Sequence, residues 1–141
     1  MRNKLLYLLS TLFAGVLVFD SCSNELELNY QRYFVNGKGL YEKNCQNCHG
    51  ANGEGLGKLY PPLTDTAFLS KNRSSLACMI KNGLKGKMSV NNVSYETEMP
   101  GNTALADIDI AQIIVYITNS FGNKQSFYDQ KQVVADIKGC Q

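Results

Sequence analysis

The run Cys45-Gln46-Asn47-Cys48-His49 constrains this chain more than any other feature. Two thiols three residues apart lie on one side of a helical turn, and an imidazole follows at once. A thioredoxin-type redox dithiol would need a preceding strand and a βαβ surround. Neither pattern flanks Cys45. A structural zinc would need four ligands, and His49 is the single histidine of the chain. The third chemistry fits the spacing. The thiols add across vinyl groups on neighbouring edges of a porphyrin, and the imidazole binds its iron. The sequence therefore predicts one covalently bound haem c, with a small core organised around it.

At 141 residues the chain fits one domain. Its first 21 residues read as a secretory signal. Arg2 and Lys4 precede an uncharged run from Leu5 to Phe19. As a helix that run would rise about 22 Å, short of the roughly 30 Å of a bilayer core. Ser21-Cys22 resembles the cleavage site of a bacterial lipoprotein, which implies lipidation of Cys22 and a periplasmic or outer membrane-surface location. Loss of residues 1–21 removes Arg2, Lys4 and Asp20, so the 14 basic and 12 acidic residues become 12 and 11. Such a neutral polypeptide argues against a nucleic-acid partner.

Residues 22–31 are polar and read as a tether, with the folded domain at 32–141 and a tail from about 123. A first helix is expected at about 32–46. Gly37 and Gly39 weaken it, which implies close approach of a second helix at one of them. Residues 50–66 read as loop and 73–83 as a helix with Leu76, Met79 and Ile80 inward, ended by Gly83. Residues 84–104 read as irregular. Ile110, Ile113, Ile114, Ile117 and Phe121 follow one face of a helix at about 107–120. Phe127, Val133, Val134 and Ile137 suggest one further short helix.

With one histidine, the sixth iron ligand cannot be a second imidazole. Met1 leaves with the signal, Met79 sits on a core stripe, and Met88 follows Lys85-Gly86-Lys87 in a loop and is the second candidate. Met99 precedes Pro100 in a returning polar segment and is the expected sulfur ligand, so His49 and Met99 would be the metal ligands.

These residues resemble the class I c-type cytochromes. The matching pieces are Gly37…Tyr41, Cys45 to Gly50, Pro61-Pro62-Leu63, Asn82-Gly83-Leu84, Val90-Asn91-Asn92, Tyr95, Met99-Pro100 and Ile110 to Ile117. The resemblance runs from about Gly37 to Asn123. It implies an all-α, small cytochrome c fold, with N- and C-terminal helices crossing at Gly37, Tyr41 and Tyr116 around the haem. It implies that the Pro61 carbonyl accepts a hydrogen bond from His49, that Leu63 lines the ring and that Tyr95 belongs to the cofactor site. Asp107 or Asp109 suits the first turn of the last helix by charge, and because Ala106 departs from the family's serine, Asp107 is expected to cap it. Asn92 stands where glycine is common, which implies a left-handed asparagine.

The implied activity is electron transfer and not enzymatic catalysis. The partners would be redox proteins, such as a membrane oxidase, reductase or dehydrogenase. The main expectation is a membrane-tethered carrier. The alternative is a haem subunit held permanently in such a complex, and a gas-binding or peroxidase-like protein is a third reading. Lys43, Lys58, Lys85 and Lys87 are expected near the haem edge, where charge steers encounters. Glu96 and Glu98 read as solvated surface. Cys78 and Cys140 remain once lipid and haem claim the other three thiols. In an oxidising compartment they form a disulfide, or else Cys78 is buried and Cys140 free.

Overall fold

The structure, a computed structural model, describes residues 25–140. The signal segment and Cys22 lie outside the described residues. Two units are distinguished, one up to Arg32 and one from Tyr33 onward. In the first, residues 25–32 are helical, where the sequence suggested a patternless tether. The Gln31 amide donates to Glu27 one turn back, at 2.8 Å.

In the second unit, helical residues 33–44 (α1) lead into the short helix α2, Gln46–His49. The last helix of the crossing pair, α5, covers Asp107–Ile117. The two helices meet where α1 has no side chain. A Cβ at Gly37 would overlap the backbone carbonyl of Gln112 and press on the Tyr116 Cβ. Gly39 has open space around it. Tyr116 then packs edge-on against Phe34 at 5.3 Å and beside Tyr41 at 5.3 Å. Gly37→Ala should lower the unfolding free energy by about 1–3 kcal/mol. Gly39→Ala should raise it by about 0.5–1 kcal/mol through helix propensity. Denaturant titration of both variants checks this, and equal shifts would mean that the crossing does not need a bare backbone at residue 37.

α5 is apolar beyond one stripe. Ile110, Ala111, Ile114 and Val115 are wholly buried, and Ile113, Tyr116 and Ile117 nearly so. A helix buried all round sits at the centre of its domain. Its start differs from the sequence reading. The Ala106 N–H donates to Asp109 Oδ2 at 3.0 Å, while Asp107 pairs with Lys81 at 2.8 Å. Asp109 therefore serves the helix end and Asp107 ties α5 to its neighbour.

That neighbour is α4, Leu76–Asn82, entered through a 3₁₀ turn at Arg73–Ser75. The sequence reading merged the two into one helix and missed α3, Thr66–Lys71. Asp65 caps α3 by accepting from the Phe68 N–H at 3.0 Å. Residues 84–104 are more regular than expected. β1 (Gly83–Leu84) pairs antiparallel with β4 (Met99–Pro100), and β2 (Met88–Val90) with β3 (Val93–Tyr95). Asn91 and Asn92 form the β2–β3 turn with φ of 48° and 60°. Both central residues of such a tight hairpin need positive φ, which asparagine tolerates. These ladders are too short to change the all-α class.

The tail forms α6, Gln130–Ile137, with a reciprocal cap. Gln132 N–H donates to Asp129 Oδ1 at 2.9 Å, and Asp129 N–H donates to Gln132 Oε1 at 3.0 Å. Cys78 and Cys140 are joined by a disulfide, which decides between the two states the sequence left open.

Candidate haem-binding site

Tyr41 fixes the end of α1 on which the site is built. Its ring is wholly buried, and its hydroxyl donates to the Gly50 carbonyl at 2.6 Å. The Cys45 carbonyl accepts from the N–H groups of both Cys48 and His49, at 3.1 and 3.0 Å. Both thiols and the imidazole thus ride on one closed turn.

The following loop doubles back on this turn. Gly55 N–H donates to the His49 carbonyl at 2.8 Å, and Leu63 N–H to the Gly53 carbonyl at 2.7 Å. Gly55 has φ +70°, and a Cβ there would collide with the Tyr60 carbonyl. The return brings Pro61 to the imidazole. His49 Nδ1 lies 2.9 Å from the Pro61 carbonyl oxygen. A carbonyl only accepts, so Nδ1 carries the proton and Nε2 keeps its lone pair. Burial holds the His49 pKa below its ordinary value, outweighing the opposing pull of the Pro61 bond. The side chain is therefore a neutral, oriented imidazole with one free nitrogen.

In front of it lies an apolar cleft with a cavity volume of about 70 Å³, lined by Cys45, His49, Leu63, Leu69, Ile80 and Ile113 among others. A second lobe of about 50 Å³ is bounded by Cys48, Tyr60, Tyr95 and Pro100. Both lobes are lined by His49, Pro61, Leu84, Met88 and Met99. Close-packed interiors leave few voids larger than a water molecule. An apolar cleft with a few convergent polar and sulfur groups has the character of a cofactor site. Its donor set fits a covalently held porphyrin. One thiol opens on each lobe, an imidazole stands at the junction, and thioether sulfurs are present. Cys45 and Cys48 are unpaired thiols of intermediate exposure.

A dithiol oxidoreductase fits less well. Such enzymes lower the pKa of the attacking thiol. Here burial, helped by nearby Cys48, pushes Cys45 up to about 11, so it stays protonated at neutral pH. A metal cluster has no support either. Among the described residues no group of three or more His, Cys, Asp or Glu could hold a metal ion.

All seven residues that the sequence singled out line one lobe or the other. Sequence reasoning kept Met88 as the second candidate ligand and did not place Met79 there. Met88 pairs across the ladder with Tyr95, and Met79 faces the cleft from α4. A methionine on a predicted apolar stripe looks the same whether it fills a core or lines a cofactor cleft. Of the four lysines expected near the site, all are exposed, and Lys85 lies 3.3 Å from Glu98.

The cytochrome c family model matches residues 34–120. A cytochrome c-552 of Thermus thermophilus is 28% identical over 96 residues, covering 65% of this chain and 73% of that protein. A second cytochrome c-552 of the same species is also 28% identical over 96 residues and is covered over 65% of its length. The cytochrome c subunit of a quinone alcohol dehydrogenase from Gluconacetobacter polyoxogenes is 32% identical over 113 residues. That match covers 78% of this chain and 24% of the subunit. The helix crossing at Gly37, the Cys-x-x-Cys-His turn and the family match together make this chain a member of the cytochrome c family, a class I domain with a single covalent haem c site that serves electron transfer.

Proposed function

We propose that this chain passes single electrons as the haem-bearing component of a membrane oxidase, reductase or dehydrogenase system. Cys45 and Cys48 would carry the thioether links, and His49 Nε2 and Met99 Sδ would bind the iron. When bound, the haem supplies a one-electron Fe(III)/Fe(II) couple. The observation that carries this reading is the buried, neutral imidazole held by Pro61 at the junction of an apolar split cleft.

The protein's own residues then have definite tasks. Pro61 fixes the tautomer and ring plane of His49, which raises its donor strength. Leu63, Leu69 and Ile113 exclude water, and an apolar wall disfavours net positive charge on the oxidised centre. Tyr95, only 5% exposed, closes the second lobe. A sulfur ligand favours the reduced state relative to a second imidazole.

Met99 lies in β4 and Met88 in β2, and both border both lobes. Met99→Ala should abolish the far-red sulfur-to-iron absorption of the oxidised protein, lower its reduction potential and let the reduced protein bind CO. Met88→Ala should keep the band. The reverse pattern would transfer the ligand role to Met88. Absence of the band from the unmodified protein, with rapid CO binding, would favour a gas-binding haem.

For the working arrangement, the long match to dehydrogenase subunits supports a haem domain held within a larger enzyme. The second reading is a carrier tethered at the outer face of a bacterial membrane. It rests on Leu5–Phe19, on Cys22 and on the similarity to the c-552 proteins. Among the described residues no helix is long and apolar enough to cross a membrane. Copurification with a large enzyme at fixed stoichiometry supports the first arrangement. Recovery as a separate haem protein, released from membranes by Cys22→Ser, supports the second.

A further inference from the structure

Residues 121–140 lie beyond the segment that matches the family model, yet they are bound to the wall of the cleft at three places. Asn123 Nδ2 donates to the carbonyls of Leu63 and Ile117, at 2.8 and 3.0 Å. Arg73, in the turn that opens α4, donates to Gln125 Oε1 at 2.5 Å and to the carbonyls of Ser126 and Phe127 at 2.8 and 3.3 Å. Its guanidinium also stands 5.1 Å from the centre of the Tyr128 ring. Cys140 is bonded to Cys78 of α4.

α4 has seven residues, and its Leu76, Met79 and Ile80 line the cleft. A helix that short does not hold itself together, because nucleation costs more than two turns return. Its order comes from what it is tied to. Inward lies the haem cleft and outward lies the extension. The extension has its own anchors, since Tyr128 and Val133 are buried and Tyr128 donates to Asp136.

We propose that residues 121–140 act as a strap on α4, with Cys78, Cys140 and Arg73 as positioning residues that keep the cleft wall closed over the iron. The inference rests on the haem reading above. The strap sets how often the wall opens, and so how fast small ligands reach the iron, without touching the iron itself. Local openings of this kind have free energies well below that of global unfolding. A covalent tie on the outer face of α4 raises the cost of opening it.

The test uses the whole haem-loaded protein. Stopped-flow mixing measures cyanide entry to the oxidised form, where the incoming ligand must displace the sulfur. In the Cys78→Ser/Cys140→Ser double variant the cyanide entry rate should rise about tenfold, while the resting absorption spectrum keeps its far-red sulfur-to-iron band. Arg73→Lys leaves the disulfide intact but loses the planar fork, and should give a smaller rise in the same direction. This second variant decides the matter if the first does not fold. Unchanged rates in a folded double variant, even with lowered stability, would overturn the strap and leave the disulfide a purely structural link. A colourless unmodified protein would fail the haem reading instead, so the two failures are distinct.

Discussion

The Cys45→Ala/Cys48→Ala double variant should retain no covalently bound haem. After acid–acetone extraction, or denaturing electrophoresis with haem staining, it should be colourless while the unmodified protein stays red. The expected loss is complete because each thiol is the sole protein atom of its link, and no other unpaired cysteine is present among the described residues. Folding should suffer too. Cofactor binding stabilises the native state by mass action, and without it the split cleft is apolar surface with nothing to cover it. The helical far-UV signal of the variant should fall. Retention of stained haem would show that attachment lies elsewhere and would remove the basis of the functional reading.

The second large effect concerns stability. Cys78 and Cys140 are separated by 62 residues, so their bond closes a long loop in the unfolded chain. By loop entropy, replacing both with serine should cost about 4 kcal/mol. For a domain of this size that is about 15 °C in melting temperature. Denaturant and thermal melts of the haem-loaded variant measure it. A cost below about 1 kcal/mol would show that Arg73, Tyr128 and Val133 already pin the tail when the chain is open. The melting experiment reads the whole domain, whereas ligand entry reads only the wall beside α4.

Much of the site was legible because it is local. The turn at Cys45–His49 is encoded by residue types at fixed spacing, and i,i+3 neighbours share a helix side wherever the helix goes. The α6 segment was legible for the same reason, since periodicity acts over a few residues; the left-handed Asn92 was implied only by the family resemblance, and the positive φ of Asn91 was not foreseen. α3 was missed because its only clear signal is the cap at Asp65, followed by six residues with a single fully buried one, Leu69. The β ladders were missed because two- and three-residue strands show no alternation to read. The role of Asp107 was misread because the choice between capping a helix and pairing with Lys81 depends on where α4 packs.

By itself, then, the sequence determined the chemistry this chain can hold: two thiols and one imidazole on a turn, and methionine as the available sulfur. It also determined an amphipathic last helix and a close approach at Gly37 or Gly39, between which the structure chose Gly37. The tertiary structure alone decided how these meet. It placed Pro61 on His49, brought both Met88 and Met99 to both lobes of the cleft, and joined Cys78 to Cys140. The physical reason is reach. Spacing along a chain governs neighbours within a turn, while contacts between distant residues depend on packing that no short window of residues contains.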